Sequence, residues 1–318
     1  MRKQASNAKA NKSEASVKRN PKLSVVILNY NTMQLLDDCL SSLKKLEKEV
    51  DFEVIVSDNG STDGSLAMVA KKFPKVKVIE NNENLGFGRG NNRAKKLSKG
   101  KYVLFLNTDT IVDQNALKSC VDYLEMHKDV GAVTCRVELK NGKLDKDTRR
   151  SFPTPWVSLT HLVLKLDKIF PKSKLFAKYW YGYIPEDATH DVDVIQAAFL
   201  MAPRKLLNEL DWFDEDYYLD GEDIDLCWRI KNKGKRLVYY PKAKIIHLKG
   251  FTKGKNKKSK KKVSLAEKIK FRSSSVNSME IFYRKRLWKN YPLLLNSLVI
   301  AGIKVLKGIR IIKLIIFG

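Results

Sequence analysis

A chain of 318 residues with 43% hydrophobic content has room to bury one large core or two modest ones, which excludes a disordered or fibrous protein. Its net charge of +26 points to a nucleic-acid binder until the charge is located: residues 1–22 carry 7 Lys/Arg and 1 acid, residues 249–318 carry 19 and 2, and the body between carries 35 and 32. A nearly neutral body offers no basic stripe, and the basic arms hold few aromatics for stacking on bases, Phe251 and Phe271 among them, so nucleic acid is not the expected partner. Four cysteines (Cys39, Cys120, Cys135 and Cys227) lie far apart without paired spacing, and residues 1–22 hold no apolar run. The expected compartment is the reducing cytoplasm.

After the basic tail, which is expected to be disordered, short β-branched runs at 23–28, 52–57, 76–80, 102–106 and 131–137 alternate with helically spaced segments such as 33–46. That alternation predicts an α/β fold with a mostly parallel central sheet flanked by helices. Ligands of such sheets sit beyond the carboxyl ends of the strands. The first run ends in Asn29, Tyr30 and Asn31, the second in Asp58, Asn59 and Gly60, and the fourth, YVLFLNTDT, in Asn107, Thr108 and Asp109. A dinucleotide-binding protein needs a glycine-rich turn after its first strand, and NYNT stands there instead, which excludes that class. NLGFGRGNN (84–92) does not match that spacing and reads equally as a flexible turn or as a ligand-facing loop.

Beyond a weakly patterned region from 138 to 190, a strand-like VDVIQAAFLMA (192–202) leads into the most acidic stretch of the chain, with nine acids in residues 209–225. Asp225 and Arg229 have the spacing of a helix ion pair. Glu222 and Asp223, following the flexible Gly221 among aromatics, are instead candidates for partly desolvated carboxylates that act as bases. RLVYYPKAKIIHLKG (236–250) reads as a strand pair ending on His247, a position more commonly structural than ligating.

The succession VVILNYN, VSDNGSTDGS, ENLGFGRGNN, LFLNTDT, FDEDYYLDGEDIDLCWR and YYPKAKIIH, over residues 23 to 250, resembles the family 2 inverting glycosyltransferases of GT-A fold, and within them a bacterial rhamnosyltransferase-like branch. The resemblance implies that Asp109 ligates a Mg²⁺ or Mn²⁺ ion on the donor diphosphate, with His247 completing the metal shell and favouring Mn²⁺. It also implies that Asp58 reads the nucleobase edge, with Asn29 and Asn31 lining the pocket and Asn92 near the donor. Many members carry a carboxylate where this chain has Asn107, so Asn107 is assigned to the ribose rather than to the metal. Asp223 matches the catalytic base, with Glu222 as runner-up. Trp212 and Tyr217 are candidates for stacking on the acceptor, with core packing the alternative.

These assignments imply a catalytic domain over 23–248, its nucleotide-binding half at 23–137 and its acceptor half at 138–248, transferring rhamnose from dTDP-rhamnose to a lipid-linked or cell-surface glycan. A UDP-hexose or galactofuranose transferase is the alternative of the same fold, and a nucleic-acid-binding protein with basic arms or a catalytically silent glycan-binding scaffold the alternatives of another class. Residues 249–318 read as a basic linker, KGKNKKSKKK at 253–262, followed by an apolar segment whose Lys304, Lys307, Arg310 and Lys313 lie on one side of a helix and Val305, Ile309, Ile312 and Ile316 on the other. That pattern predicts in-plane attachment to the anionic cytoplasmic face of the membrane, with no part in the chemistry.

Overall fold

The computed structural model describes residues 20–249 and 265–317; the Lys-rich run at 253–262 and nearly all of the N-terminal tail lie outside the described residues. In chain order the elements are β1 (Leu23–Asn29), α1 (Met33–Lys44), β2 (Phe52–Asp58), α2 (Ser65–Lys72), β3 (Lys77–Glu80), α3 (Phe87–Asn92), β4 (Tyr102–Asn107), β5 (Thr110–Val112), α4 (Ala116–Met126) and β6 (Val130–Leu139). There follow β7 (Arg149–Arg150), α5 (Pro155–Ser158), α6 (Leu166–Ile169), β8 (His190–Asp191), β9 (Val194–Ile195), β10 (Phe199–Pro203), α7 (Arg204–Glu209), α8 (Glu222–Asn232), β11 (Arg236–His247), α9 (Leu265–Phe282) and α10 (Leu293–Phe317).

The main sheet runs β3-β2-β1-β4-β10-β6-β11-β5, with β8 pairing β11 outside that order; β7 and β9 form a separate pair. β1 to β4 are parallel neighbours, β10 is antiparallel to β4 and β6, and β11 runs parallel to β6. Side-chain alternation along the strands divides the apolar residues into two cores. Leu23, Val25 and Ile27 face Leu36, Cys39, Leu40 and Leu43 of α1 and Leu117, Cys120 and Val121 of α4. Val26, Val103 and Phe105 face the opposite way, onto Trp212, Phe213, Tyr217 and Leu226.

Two sequence expectations are corrected in the second half. The run 192–202 is not one strand but β9 and β10, broken at residues 196–198. Residues 236–247 form one strand rather than a pair, with a register shift between Tyr240 and Lys244. Pro241 lies inside that shift, where its missing N–H removes no ladder bond.

The C-terminal helices are also not the appendage that the sequence suggests. Val276, Phe282, Tyr283, Leu287, Ile300 and Ile303 are buried in the same core as Phe105 and Trp212. Arg286 Nε donates at 2.6 Å to Asp225, which is fully buried and also receives Arg229 Nε at 2.6 Å and the Tyr217 hydroxyl at 3.2 Å. A boundary at residue 248 therefore does not separate two packing units. Among the described residues no helix is long and apolar enough to cross a membrane.

Candidate active site

The parallel register sets Asn29 beside Asp58 and Leu28 beside Asn107, so the polar ends of β1, β2 and β4 come out together at one edge. Asn29 Nδ2 donates to Asp58 Oδ1 at 2.7 Å and to Ser61 Oγ at 3.0 Å, while Asp58 Oδ2 accepts from the Ser61 N–H at 2.8 Å. Asn31 takes the left-handed backbone (φ 53°) and its Oδ1 accepts from the Thr62 N–H at 2.8 Å. The loops after β1 and β2 are thus tied into one rim. Asn29 and Asp58 are buried beneath it, Tyr30 and Asn31 are exposed on it, and Asn107 is half-buried at the end of β4.

Beyond β4 the chain turns through Thr108 and Asp109 into β5, closed by the Thr110 hydroxyl donating to the Asn107 carbonyl at 2.7 Å. β5 pairs Thr110 with His247, which brings the end of β11 to the turn. His247 Nε2 lies 3.1 Å from Asp109 Oδ1 and its Nδ1 lies 3.0 Å from Asp145 Oδ2; all three residues are buried. Lys249 Nζ donates to Asp145 Oδ1 at 2.7 Å and to Asp147 Oδ2 at 2.5 Å. Burial opposes charge on the imidazole, but the two carboxylates outweigh it and raise His247 to about 9. Burial likewise opposes ionisation of Asp145, and His247 and Lys249 bring it down to about 2.

The acidic stretch is placed by two glycines. Gly86 (φ +83°) lets the Tyr218 carbonyl come within 2.2 Å of where a Cβ would stand, and the Phe87 N–H donates to that carbonyl at 2.9 Å. Gly221 (φ +94°) turns the chain into α8 against Ser278 of α9. Glu222 and Asp223 then occupy the first turn of α8, both buried. Arg150 donates to Asp223 Oδ2 at 2.8 Å. Burial pushes the Asp223 carboxyl up, and the guanidinium pulls against it. Burial, then the Asp223 charge, hold the Glu222 carboxyl well above its usual range, and its Oε2 has no hydrogen-bond partner among the described residues. Of the two, only Asp223 has a guanidinium paired to its carboxyl among the described residues.

One short segment joins these centres. Asp145 touches His247, Asp147 touches Lys249, and Arg150 touches Asp223, so residues 145–150 lie between the Asp109–His247 pair and the acids of α8. β7, at the end of that segment, pairs with β9, and the Ala198 carbonyl just beyond β9 accepts from the Asn107 N–H at 3.3 Å. Sequence reasoning missed Asp145 and Arg150. Their stretch, KNGKLDKDTRR, reads as an ordinary charged loop, and only the long-range contacts mark them.

Three assignments are corrected. Trp212 and Tyr217 are fully buried and cannot stack on an acceptor. Trp212 packs edge-on against Phe105 with its Nε1 donating to Asn208 Oδ1 at 2.8 Å, and the Tyr217 hydroxyl is committed to Asp225. Asn92 clasps Phe213 in both directions, Nδ2 donating to its carbonyl at 2.9 Å and Oδ1 accepting its N–H at 3.1 Å, with the second amide hydrogen reaching Glu215 Oε1 at 3.1 Å. It holds the acidic stretch against α3 and has no donor left for a ligand. Among the described residues no three His, Cys, Asp or Glu gather to hold a metal, and Asp109 and His247 stand side by side as a hydrogen-bonded pair.

Comparison with known proteins follows the same outline. Over 245 residues, 74% of this chain and 78% of the relative, it is 25% identical to the N-acetylglucosaminyl-diphospho-decaprenol L-rhamnosyltransferase of Mycobacterium tuberculosis. Over 231 residues, 70% of this chain and 82% of the relative, it is 25% identical to Rhamnosyltransferase WbbL of Escherichia coli. Among solved structures it resembles a mannosyltransferase from Pyrobaculum calidifontis in complex with GDP-Man and Mn²⁺, at TM-score 0.54 and 18% identity over 84% of this chain and 66% of that one. That likeness, at such low identity, concerns the fold alone. Residues 24–184, about half the chain, match the glycosyl transferase family 2, and the protein belongs to that family.

Proposed function

We propose that this protein is a metal-dependent inverting glycosyltransferase that moves a sugar, rhamnose from dTDP-rhamnose as first choice, onto a lipid-linked glycan at the cytoplasmic face of the membrane. The observation that supports it best is the 145–150 segment, which sets a buried Asp–His pair on one side and a buried, guanidinium-paired carboxylate on the other. The two rhamnosyltransferase relatives support the sugar, and the diphospho-decaprenol in one of their names supports the acceptor. A UDP-hexose or galactofuranose donor is the second reading.

Asp109 and His247 fit a divalent ion. The Asp109 carboxylate and the His247 imidazole, adjacent at the end of β11, are the donors that would hold such an ion once it displaced the proton between them. An ion held there would neutralise charge on the departing diphosphate. Asp145 orients the imidazole from its other nitrogen, as outer partners of metal-bound histidines do. Asp223 takes the proton of the acceptor hydroxyl, a poor nucleophile until that proton leaves, and Arg150 favours the carboxylate form against the burial that opposes it. Glu222 is the runner-up for the base. Asn29, Asn31 and Asp58 are assigned to the nucleobase pocket and Asn107 to the ribose.

The test is thermal stabilisation by sugar nucleotides with and without Mn²⁺. A donor at one hundred times its Kd adds about 2.7 kcal/mol, so dTDP-rhamnose should raise the Tm well above the effect of UDP-sugars. Asp109→Ala should keep the fold and lose the Mn²⁺-dependent part of the shift. Equal stabilisation by all nucleotides, or an unchanged Mn²⁺ response in Asp109→Ala, contradicts the assignment.

A further inference from the structure

The chain between β7 and β8 makes an excursion that the chemistry above does not use. Its two ends are closed by the Ser151 N–H donating to the Tyr179 carbonyl at 3.0 Å, next to the Arg150 that holds Asp223. The excursion is built rather than loose. The Thr154 hydroxyl accepts from the Val157 N–H at 3.4 Å to cap α5, Trp156 Nε1 donates to the Leu175 carbonyl at 3.2 Å, and His161 pairs with Asp167 at 2.8 Å. Val157 and Thr160 are buried against the body.

The outer side of this excursion is apolar and open. Leu162, Val163, Leu164, Ile169, Phe170 and Leu175 are all exposed, Val163 at 69% and Ile169 at 65%. Contiguous exposed residues of this kind mark an interaction surface. Lys165, Lys168, Lys172, Lys174 and Lys178 are interleaved with them, all exposed and none in an ion pair among the described residues, while Asp167, the acid of the stretch, is occupied by His161. Apolar residues set within unpaired lysines complement one partner well, an anionic lipid surface, where the chains receive the former and the headgroups the latter. A second copy of this chain is disfavoured, because self-association would bring the same lysines against each other.

We propose that the excursion between Phe152 and Lys178 is a membrane-docking surface that presents the Asp223 end of the site to anionic lipid. The inference rests on the lipid-linked acceptor proposed above and adds to it a second contact besides the exposed side of α10. The two are joined in the fold, since Phe152 stacks on Phe282 at the end of α9 at 6.2 Å. Docking through both would leave the acceptor a short path from bilayer to base.

The experiment uses the full chain with one new cysteine, Val163→Cys, carrying an environment-sensitive fluorophore. The native Cys39, Cys120, Cys135 and Cys227 are buried, so the label is selective, with unsubstituted protein as the control. A parallel protein carries the label at Val305→Cys on α10. On vesicles containing phosphatidylglycerol, the Val163 label should shift to the blue and be quenched by brominated acyl chains, with little change on neutral phosphatidylcholine. Replacing Leu162, Val163 and Leu164 together by Ser should lower transfer to a vesicle-borne lipid-linked acceptor by about tenfold or more, with donor hydrolysis in solution unchanged. If the protein sediments with the vesicles and the Val305 label is quenched while the Val163 label stays in water, this proposal falls and membrane attachment stands. If the protein does not sediment at all, both fall. A blue shift without lipid, accompanied by a dimer in sedimentation velocity, assigns the surface to self-association and overturns the proposal.

Discussion

At Asp223 two effects oppose each other. Burial favours the protonated acid, and Arg150, 2.8 Å away, favours the carboxylate. Removing the guanidinium leaves burial unopposed, so Arg150→Gln should raise the Asp223 pKa and move the acidic limb of the kcat/KM profile to higher pH. The fractional loss should grow as the pH falls through the limb and be recovered as the pH rises; an unmoved limb would detach Asp223 from the proton transfer. Asp223→Asn should lower turnover by a factor on the order of 10² or more with donor affinity nearly unchanged, since the lost interaction belongs to the transition state. Glu222→Gln should cost far less, because burial and the neighbouring Asp223 disfavour the charged form of that carboxyl and no guanidinium among the described residues pairs with it. If the two phenotypes are exchanged, Glu222 is the base. Asp109, Glu222, Asp223 and His247 were legible in the sequence as polar residues ending apolar runs or following a glycine. Their partners were not. Asp145 lies 102 residues from His247 and Arg150 73 from Asp223, and no local pattern encodes a contact over such separations.

The strands were legible because period-two alternation and β-branched runs are local properties. β1, β2 and β4 each extend one residue beyond the expected run, into the polar Asn29, Asp58 and Asn107 that form the site edge. The helix α9 was not legible. Its apolar residues form no single stripe, and its packing depends on the small Ser274 and Ser278, whose hydroxyls donate to the Leu219 carbonyl at 2.6 and 3.4 Å. The excursion after β7 failed for a similar reason, since its exposed apolar residues do not follow the period of one face against a core. α8 depends on α9 through Gly221: a Cβ there would stand 2.9 Å from Ser278 Cβ, on a backbone at φ +94° that L side chains rarely adopt. Gly221→Ala should therefore cost about 1–3 kcal/mol and displace the first turn of α8, lowering turnover further than the stability loss explains. Paired melting and single-turnover measurements separate the two. Full activity in a protein with unchanged Tm would show that the turn relaxes freely.

For the molecule as a whole, the charge partition and the packing give different answers about the C-terminus, and the packing decides. Residues 249–318 hold 19 of the 61 Lys/Arg, which made them look like a detachable basic extension. Yet Val276, Phe282, Tyr283, Leu287, Ile300 and Ile303 are buried with the catalytic core, and Arg286 neutralises a carboxylate that no water reaches. Each large apolar side chain buried this way contributes about 1.5–3 kcal/mol, and six of them together match the whole stability of a typical domain, about 5–15 kcal/mol. A chain ending at residue 249 should therefore fail to fold cooperatively, rather than become a soluble active enzyme. A chain ending after Leu306 keeps all six and loses Ile309, Ile312, Ile315 and Ile316, half of the exposed apolar residues of α10, together with the Arg310 contact to Ser275. It should melt within a few degrees of the full chain, retain donor-dependent stabilisation and bind anionic vesicles less well. Calorimetry on the two truncations makes the comparison. A cooperative transition near the full-length Tm in the shorter one would return α9 and α10 to the status of an appendage, and undiminished vesicle binding in the longer one would move the membrane contact entirely to the remaining surface.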